Sequence, residues 1–130
     1  HGSTFGGNPL AMRSANAVLD LLLEDQFLDN LRDKIIYFDS KMDDLIKNNT
    51  EDKSIFLKKK GSGMLRCLEL VENISAADFA SIARSKGLLL VGAAENTIRL
   101  LPPLNTSVGE INEAFEILNE VTLILNKKLN

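Results

Sequence analysis

Apolar side chains recur at two periods along the chain, and the change of period divides it into elements. From Pro9, the residues Ala11, Ser14, Ala15, Val18, Leu19 and Leu22 fall at i, i+3, i+4, i+7, i+8 and i+11, the spacing of one helical face. Asn8 is a good N-cap, and Pro9 suits the first helical position, where a missing N–H costs nothing. The small side chains in the first turns of this stripe predict close packing against a neighbour. A second helix is predicted from about Gln26 to Lys47, with Phe27, Leu31, Ile35, Phe38, Met42, Leu45 and Ile46 on one stripe and Asn48-Asn49 ending it.

The period then shortens. Ile55-Phe56-Leu57 and Met64 to Val71 read as strands separated by Lys58-Lys59-Lys60-Gly61-Ser62-Gly63, which has the composition of a turn. Ser75-Ala76-Ala77-Asp78 opens a short helix through Phe79, Ile82 and Ala83, which Gly87 can stop. Leu88 to Val91 and Thr97 to Leu101 read as a second strand pair, ended by Pro102-Pro103. Ser107-Val108-Gly109-Glu110 is a capping box that opens a long last helix, with Ile111, Ala114, Phe115, Leu118, Thr122, Leu125 and Leu129 on one face and Lys127 and Lys128 at its negative end. Strands grouped in pairs rather than alternating singly with helices predict an α+β fold, with a small, mainly antiparallel sheet of about four strands packed against helices.

Composition narrows the function. At 130 residues the chain is one-domain in size, and 45% hydrophobic with 25% charged residues predicts a folded core. A net charge of −3, with basic residues scattered apart from Lys58 to Lys60, offers no broad positive face for nucleic acid or anionic lipid. No apolar run approaches the ~20 residues of a membrane-spanning helix. One cysteine, Cys67, and one histidine, His1, are too few for a zinc site of the Cys/His type. A chain starting at His1 rather than Met reads as a piece of something longer.

Three places could carry chemistry. Cys67 sits in a predicted strand without a histidine partner and reads as an inert, buried thiol. Lys58 to Lys60 before Gly61-Ser62-Gly63 faintly suggests a phosphate loop but lacks the required spacing, so a solvated turn is the better reading. The opening segment offers the hydroxyls of Ser3 and Thr4, close backbone approach at Gly6 and Gly7, and a helix start whose free amides attract anions. It is either a phosphate contact or an ordinary capping segment. Arg99 lies mid-strand, on one face with Thr97 and Leu101, and calls for a carboxylate: a structural Asp or Glu, or that of a ligand.

At these residues the chain resembles a known family. His1-Gly2-Ser3-Thr4-Phe5-Gly6-Gly7-Asn8-Pro9-Leu10-Ala11 is similar to the motif that follows the cofactor lysine in class III pyridoxal-phosphate aminotransferases of the acetylornithine and ornithine type. Gly87 to Val91 and Glu95-Asn96-Thr97-Ile98-Arg99-Leu100-Leu101-Pro102-Pro103-Leu104 resemble the family's segment near the C-terminus. Gly61 to Leu65 with Leu68-Glu69-Leu70 resembles the strand between them. The departures are Arg66 and Cys67, where the family usually has an apolar residue and glycine, and Met12-Arg13 in place of smaller residues.

The resemblance implies roughly the C-terminal third of such an enzyme, with the small C-terminal domain of fold-type I pyridoxal-phosphate enzymes: residues 1–24 as opening loop and linking helix, and 25–130 as the α+β domain. It implies that Ser3 and Thr4 contact the phosphate of pyridoxal phosphate held mainly by the other subunit of a homodimer. It also implies that Arg99 binds the α-carboxylate of the amino-acid substrate. The cofactor lysine, the acidic partner of the pyridine nitrogen and the ring-stacking aromatic would all precede His1, so this chain alone would hold no catalytic residue. The implied reaction moves the amino group of N-acetylornithine, ornithine or a related ω-amine to 2-oxoglutarate in the cytoplasm. The alternative is a stand-alone α+β regulatory or interaction module, in which the opening segment and Arg99 serve structure only.

Overall fold

Helix α1 spans Pro9–Leu22 in the computed structural model, which describes residues 2–48 and 54–129. Asn8 caps it as expected, its Oδ1 accepting from the amides of Leu10 at 3.0 Å and Ala11 at 3.2 Å. The expected packing of its small-residue stripe is not seen, because no residue of α1 is buried. An amphipathic stripe marks a face that needs cover without saying which segment supplies it. The chain divides into two compact units, residues 1–33 and 34–130. Helix α2, Phe27–Lys47, begins in the first unit and ends in the second. Expectations placed on His1, Asn49, Asn130 and the side chains of Lys128 and Leu129 lie outside the described residues.

The second unit carries the sheet. Strands β1 (Phe56–Ser62), β2 (Leu65–Leu70), β3 (Val91–Ala93) and β4 (Thr97–Leu100) form one antiparallel sheet in the order β1-β2-β4-β3. With helices α3 (Ala76–Ser85) and α4 (Val108–Leu129) the fold is α+β, as the grouping of strands predicted. In the central pair Leu68 faces Ile98, and both are fully buried. Leu70, Leu100 and Phe56 extend this inner face. The core also contains two edge-on aromatic pairs, Phe38 of α2 with Phe115 of α4 at 5.5 Å and Phe56 with Phe79 of α3 at 6.0 Å.

Two strand boundaries differ from the sequence reading. The lysine run is strand, not turn, and each lysine reaches a carboxylate from it. Lys59 points inward to Asp39 at 3.0 Å and Asp43 at 2.7 Å on α2, while Lys58 and Lys60 point outward to Glu69 at 3.5 and 2.7 Å. Arg66, opposite Gly61, joins the inner cluster through Asp39 at 2.9 Å and donates to the carbonyls of Gly61 and Gly63. Strand β3 begins at Val91, where the predicted strand ends. Leu88 is still bound to the exit of α3, its amide donating to the Ala83 carbonyl at 2.9 Å, so the chain has not yet entered the ladder there.

Helix starts follow their local chemistry. Ser75 accepts from the amides of Ala77 and Asp78. Ser107 and Glu110 close the reciprocal capping box, with Ser107 Oγ accepting from the Glu110 amide at 3.1 Å and Glu110 Oε2 from the Ser107 amide at 2.7 Å.

Gly61 has φ +98°, and a Cβ there would overlap the Leu65 carbonyl oxygen across the hairpin. Gly61→Ala should therefore cost roughly 1–3 kcal/mol. Gly63→Asn, at φ +60° with open space around the added carbon, should cost far less, since Asn tolerates the left-handed region. Denaturant midpoints of the two variants provide the check; equal losses would contradict the overlap.

The acidic side chains add a pH dependence. A hydrogen bond from Lys59 holds Asp43 below its usual pKa, Lys60 does the same to Glu69 and Glu95, and the Ser107 amide does so to Glu110. A carboxyl whose folded pKa is depressed stabilises the fold fully above its unfolded pKa of ~4 and loses that contribution as pH falls through the folded value. Urea midpoints should be flat from pH 7 to about 5 and drop below about pH 4. Lys60→Met should make that drop shallower by removing the cation from Glu69 and Glu95; an unchanged drop would assign the effect elsewhere.

Candidate functional site

The opening segment is a tight turn ahead of α1. The Ser3 carbonyl accepts from the Gly6 amide at 3.1 Å, the Phe5 carbonyl accepts from Asn8 at 3.2 Å, and Gly7 takes φ +72°. This turn uses up the helix amides that the sequence offered to an anion. Pro9 has no N–H, Asn8 Oδ1 takes Leu10 and Ala11, and the Asn8 carbonyl takes Met12 at 3.0 Å. The side-chain donors that remain for an anion are the hydroxyls of Ser3 and Thr4, both on exposed residues. Ser3 Oγ accepts from the Phe5 amide at 3.3 Å, which leaves its proton to donate. Two hydroxyl donors suit two phosphate oxygens but bring no positive charge, so this segment could supply only part of a phosphate site.

Arg99 belongs to the second unit, on the outer face of the sheet. Along β4, Ile98 and Leu100 are buried and Arg99 is exposed, as alternation predicts, but Thr97, expected on the Arg99 face, is buried at 4% exposure, its Oγ1 donating to the Glu95 carbonyl at 3.0 Å. Its cross-strand neighbours are Cys67 of β2 and Val91 of β3. Neither carries a charge, and Val91, at 61% exposed, shields little of the guanidinium. Among the described residues the Arg99 side chain makes no ion pair or hydrogen bond. Glu69, diagonal to it on the same face, is engaged by Lys60 and Lys58, and Lys60 in turn reaches Glu95 at 2.7 Å. The outer face thus pairs its other charges with one another and leaves the Arg99 fork open.

Sequence reasoning missed the residue that secures the start of β4. Asn96 has φ +49°, next to Glu95 at φ +58°. Its Nδ2 donates to the carbonyls of Val71 at 3.0 Å and Ile74 at 2.7 Å, and its Oδ1 accepts from the Ala76 amide at 2.8 Å. An asparagine in a hairpin connection was the available signal, because Asn both tolerates a positive φ and satisfies loop backbone.

The other candidates carry less. Cys67 is a free thiol on the outer face, partly rather than fully buried. Lys58 to Lys60 are committed to carboxylates and form no phosphate loop. Among the described residues no group of His, Cys, Asp and Glu could hold a metal, and no helix is long and apolar enough to cross a membrane.

Comparison with known proteins adds a family match. A model of the family described as Aminotransferase class-III matches residues 1–122. Acetylornithine aminotransferase 2 of Caulobacter vibrioides is 40% identical over 114 residues, covering 88% of this chain and 27% of that protein. The acetylornithine aminotransferase of Lactococcus lactis is 37% identical over 93% of this chain and 31% of its own length. The crystal structure of the Elizabethkingia anophelis acetylornithine aminotransferase superposes with a TM-score of 0.79 at 29% identity, over 95% of this chain and 32% of that one. An ornithine aminotransferase structure from Toxoplasma gondii, with pyridoxal phosphate at partial occupancy in its active site, superposes with a TM-score of 0.82 at 25% identity over 98% of this chain and 30% of that one. The chain therefore spans under a third of the length of each of these relatives.

An exposed arginine without a partner contributes little to folding. Arg99→Ala should shift stability by no more than about 0.5 kcal/mol, whereas Arg66→Ala, which takes one of two cations from Asp39 and a donor from two carbonyls, should destabilise clearly. Thermal midpoints of both variants decide this, and a large loss at Arg99 would reveal a structural partner.

Proposed function

The chain belongs to the class-III aminotransferase family, and from that premise we propose that it is the C-terminal part of a pyridoxal-phosphate-dependent aminotransferase acting on N-acetylornithine, ornithine or a related ω-amine, with 2-oxoglutarate as acceptor. The observation that carries the substrate side of this reading is the unpaired guanidinium of Arg99 on an outer face whose other charges are satisfied. Residues 1–24 are the opening loop and linking helix, and 25–130 the small α+β domain. A stand-alone module is the weaker reading, because α1 buries none of its residues.

Arg99 is assigned to the substrate α-carboxylate, where a planar fork donates two parallel hydrogen bonds and fixes orientation as well as charge. Its cross-strand neighbours Cys67 and Val91 bear no carboxylate to compete for it. Holding the donor by its α-carboxylate leaves the terminal amine, at the other end of the molecule, as the group presented for transfer. Ser3 and Thr4 are assigned to the cofactor phosphate, each as a hydroxyl donor, across a homodimer interface. Bound pyridoxal phosphate supplies the electron sink for the reaction. No lysine here matches the cofactor-bearing position of the family, so the segment alone is inactive. The working enzyme is a homodimer in the cytoplasm.

The test is made in the full-length enzyme that carries this segment, assayed with N-acetylornithine and 2-oxoglutarate. A charge-assisted hydrogen bond contributes ~1.5–3 kcal/mol, so Arg99→Ala should lower kcat/KM for the amino-acid donor by roughly ten- to a hundredfold, at ~1.4 kcal/mol per factor of ten. Arg99→Lys should recover only part, since it keeps the charge and loses the fork. An amine lacking the carboxylate should be nearly indifferent to both changes. Equal losses on the two substrates would reject the clamp.

A further inference from the structure

Arg99 sits on a strand of only four residues, between a six-residue β2 and a three-residue β3. So short a ladder holds register weakly by itself, and a slip of one residue would turn Arg99 to the inner face. The end of β4 nearest the hairpin is secured by one residue. The Asn96 carbonyl accepts the Leu70 amide at 3.0 Å, which adds a rung to the β2–β4 ladder beyond Glu69 and Thr97. The Asn96 carboxamide then occupies the loop between β2 and α3, binding the Val71 and Ile74 carbonyls and the Ala76 amide. Backbone and side chain together tie the start of β4 to the end of β2 and to the first residue of α3. The left-handed conformation at Glu95 and Asn96 that makes this possible is one Asn accepts more readily than most residues.

We propose that Asn96 is a positioning residue for substrate recognition: by locking the start of β4 onto the β2–α3 loop, it sets the place of the Arg99 guanidinium three residues on. This rests on the carboxylate role proposed for Arg99. The role of Asn96 requires no contact with substrate or cofactor; its effect passes through the strand. A misplacement of the guanidinium by about an ångström is enough to degrade a two-pronged carboxylate contact by as much as a hundredfold.

The test uses the full-length holoenzyme and three variants. Asn96→Gly keeps the positive φ and removes the carboxamide. Asn96→Asp keeps an acceptor for Ala76 but sets a second oxygen against the Val71 and Ile74 carbonyls, so it separates the two donated bonds from the accepted one, and Asn96→Ser, short and uncharged, covers the case in which either variant does not fold. The readout is the ratio of kcat/KM for an amino-acid donor to that for an amine without the carboxylate, measured on one preparation, so that a reduced folded fraction cancels. We expect the ratio to fall about tenfold, mainly through a raised KM for the amino acid, and to be unaffected by Asn96→Gly in an Arg99→Ala background. A merely structural role would lower kcat for both substrates and leave the ratio unchanged, which would overturn the proposal. If Arg99→Ala collapses the ratio while the Asn96 variants preserve it, the positioning role fails and the clamp stands. If Arg99→Ala itself preserves the ratio, the clamp fails, and the positioning role with it.

Discussion

The antiparallel pairing of β2 with β4 is the constraint from which the rest of the second unit follows. Leu68 and Ile98 meet at its centre with no exposure, and this choice of inner face dictates every other side chain on the two strands. β1 adds to one side and β3 to the other, and on β1 a register shift between Phe56 and Lys58 interrupts the alternation before Lys58 faces Glu69. Arg99 faces outward for the same reason that Ile98 faces inward.

Charge completes what apolar packing begins. Toward the β1 edge the inner face changes from Leu68 and Leu70 to Lys59 and Arg66, and α2 answers with Asp39 and Asp43. Such pairs on a part-exposed surface contribute modestly to stability. Their larger effect is on boundaries, because they let a lysine-rich segment persist as strand through Ser62. The long basic side chains along β1 also discourage another chain from adding to that edge.

The legible parts of the fold are those decided by neighbours in sequence. Asn8, Ser75 and the Ser107–Glu110 box mark their helices because a cap bonds amides two or three residues away. The face of Arg99 was legible from alternation alone. The extent of β1 was not, since Lys59 is strand by virtue of carboxylates twenty and sixteen residues back, at Asp39 and Asp43. Nor was the start of β3, because the tie between Leu88 and Ala83 delays it. The capping role of the opening segment was legible and its local bonding was not: Ser3 Oγ already accepts from the Phe5 amide, and Asn8 takes the helix amides behind it.

Two arginines on neighbouring rungs show how one sheet separates structural from available charge. Arg66 pairs with Leu100 and Cys67 pairs with Arg99, so the two guanidinium groups leave the sheet one rung apart on opposite faces. Arg66, with a side chain 13% exposed, is held by Asp39 and by the carbonyls of Gly61 and Gly63. Removing any of these would leave a charge poorly solvated, so that arginine is committed to the fold. Arg99 remains hydrated and carries no such obligation. Among the described residues, no ion pair has to be broken before its guanidinium is available. The sheet thus commits one guanidinium to the hairpin and leaves the other accessible, and the same period-two alternation produces both outcomes.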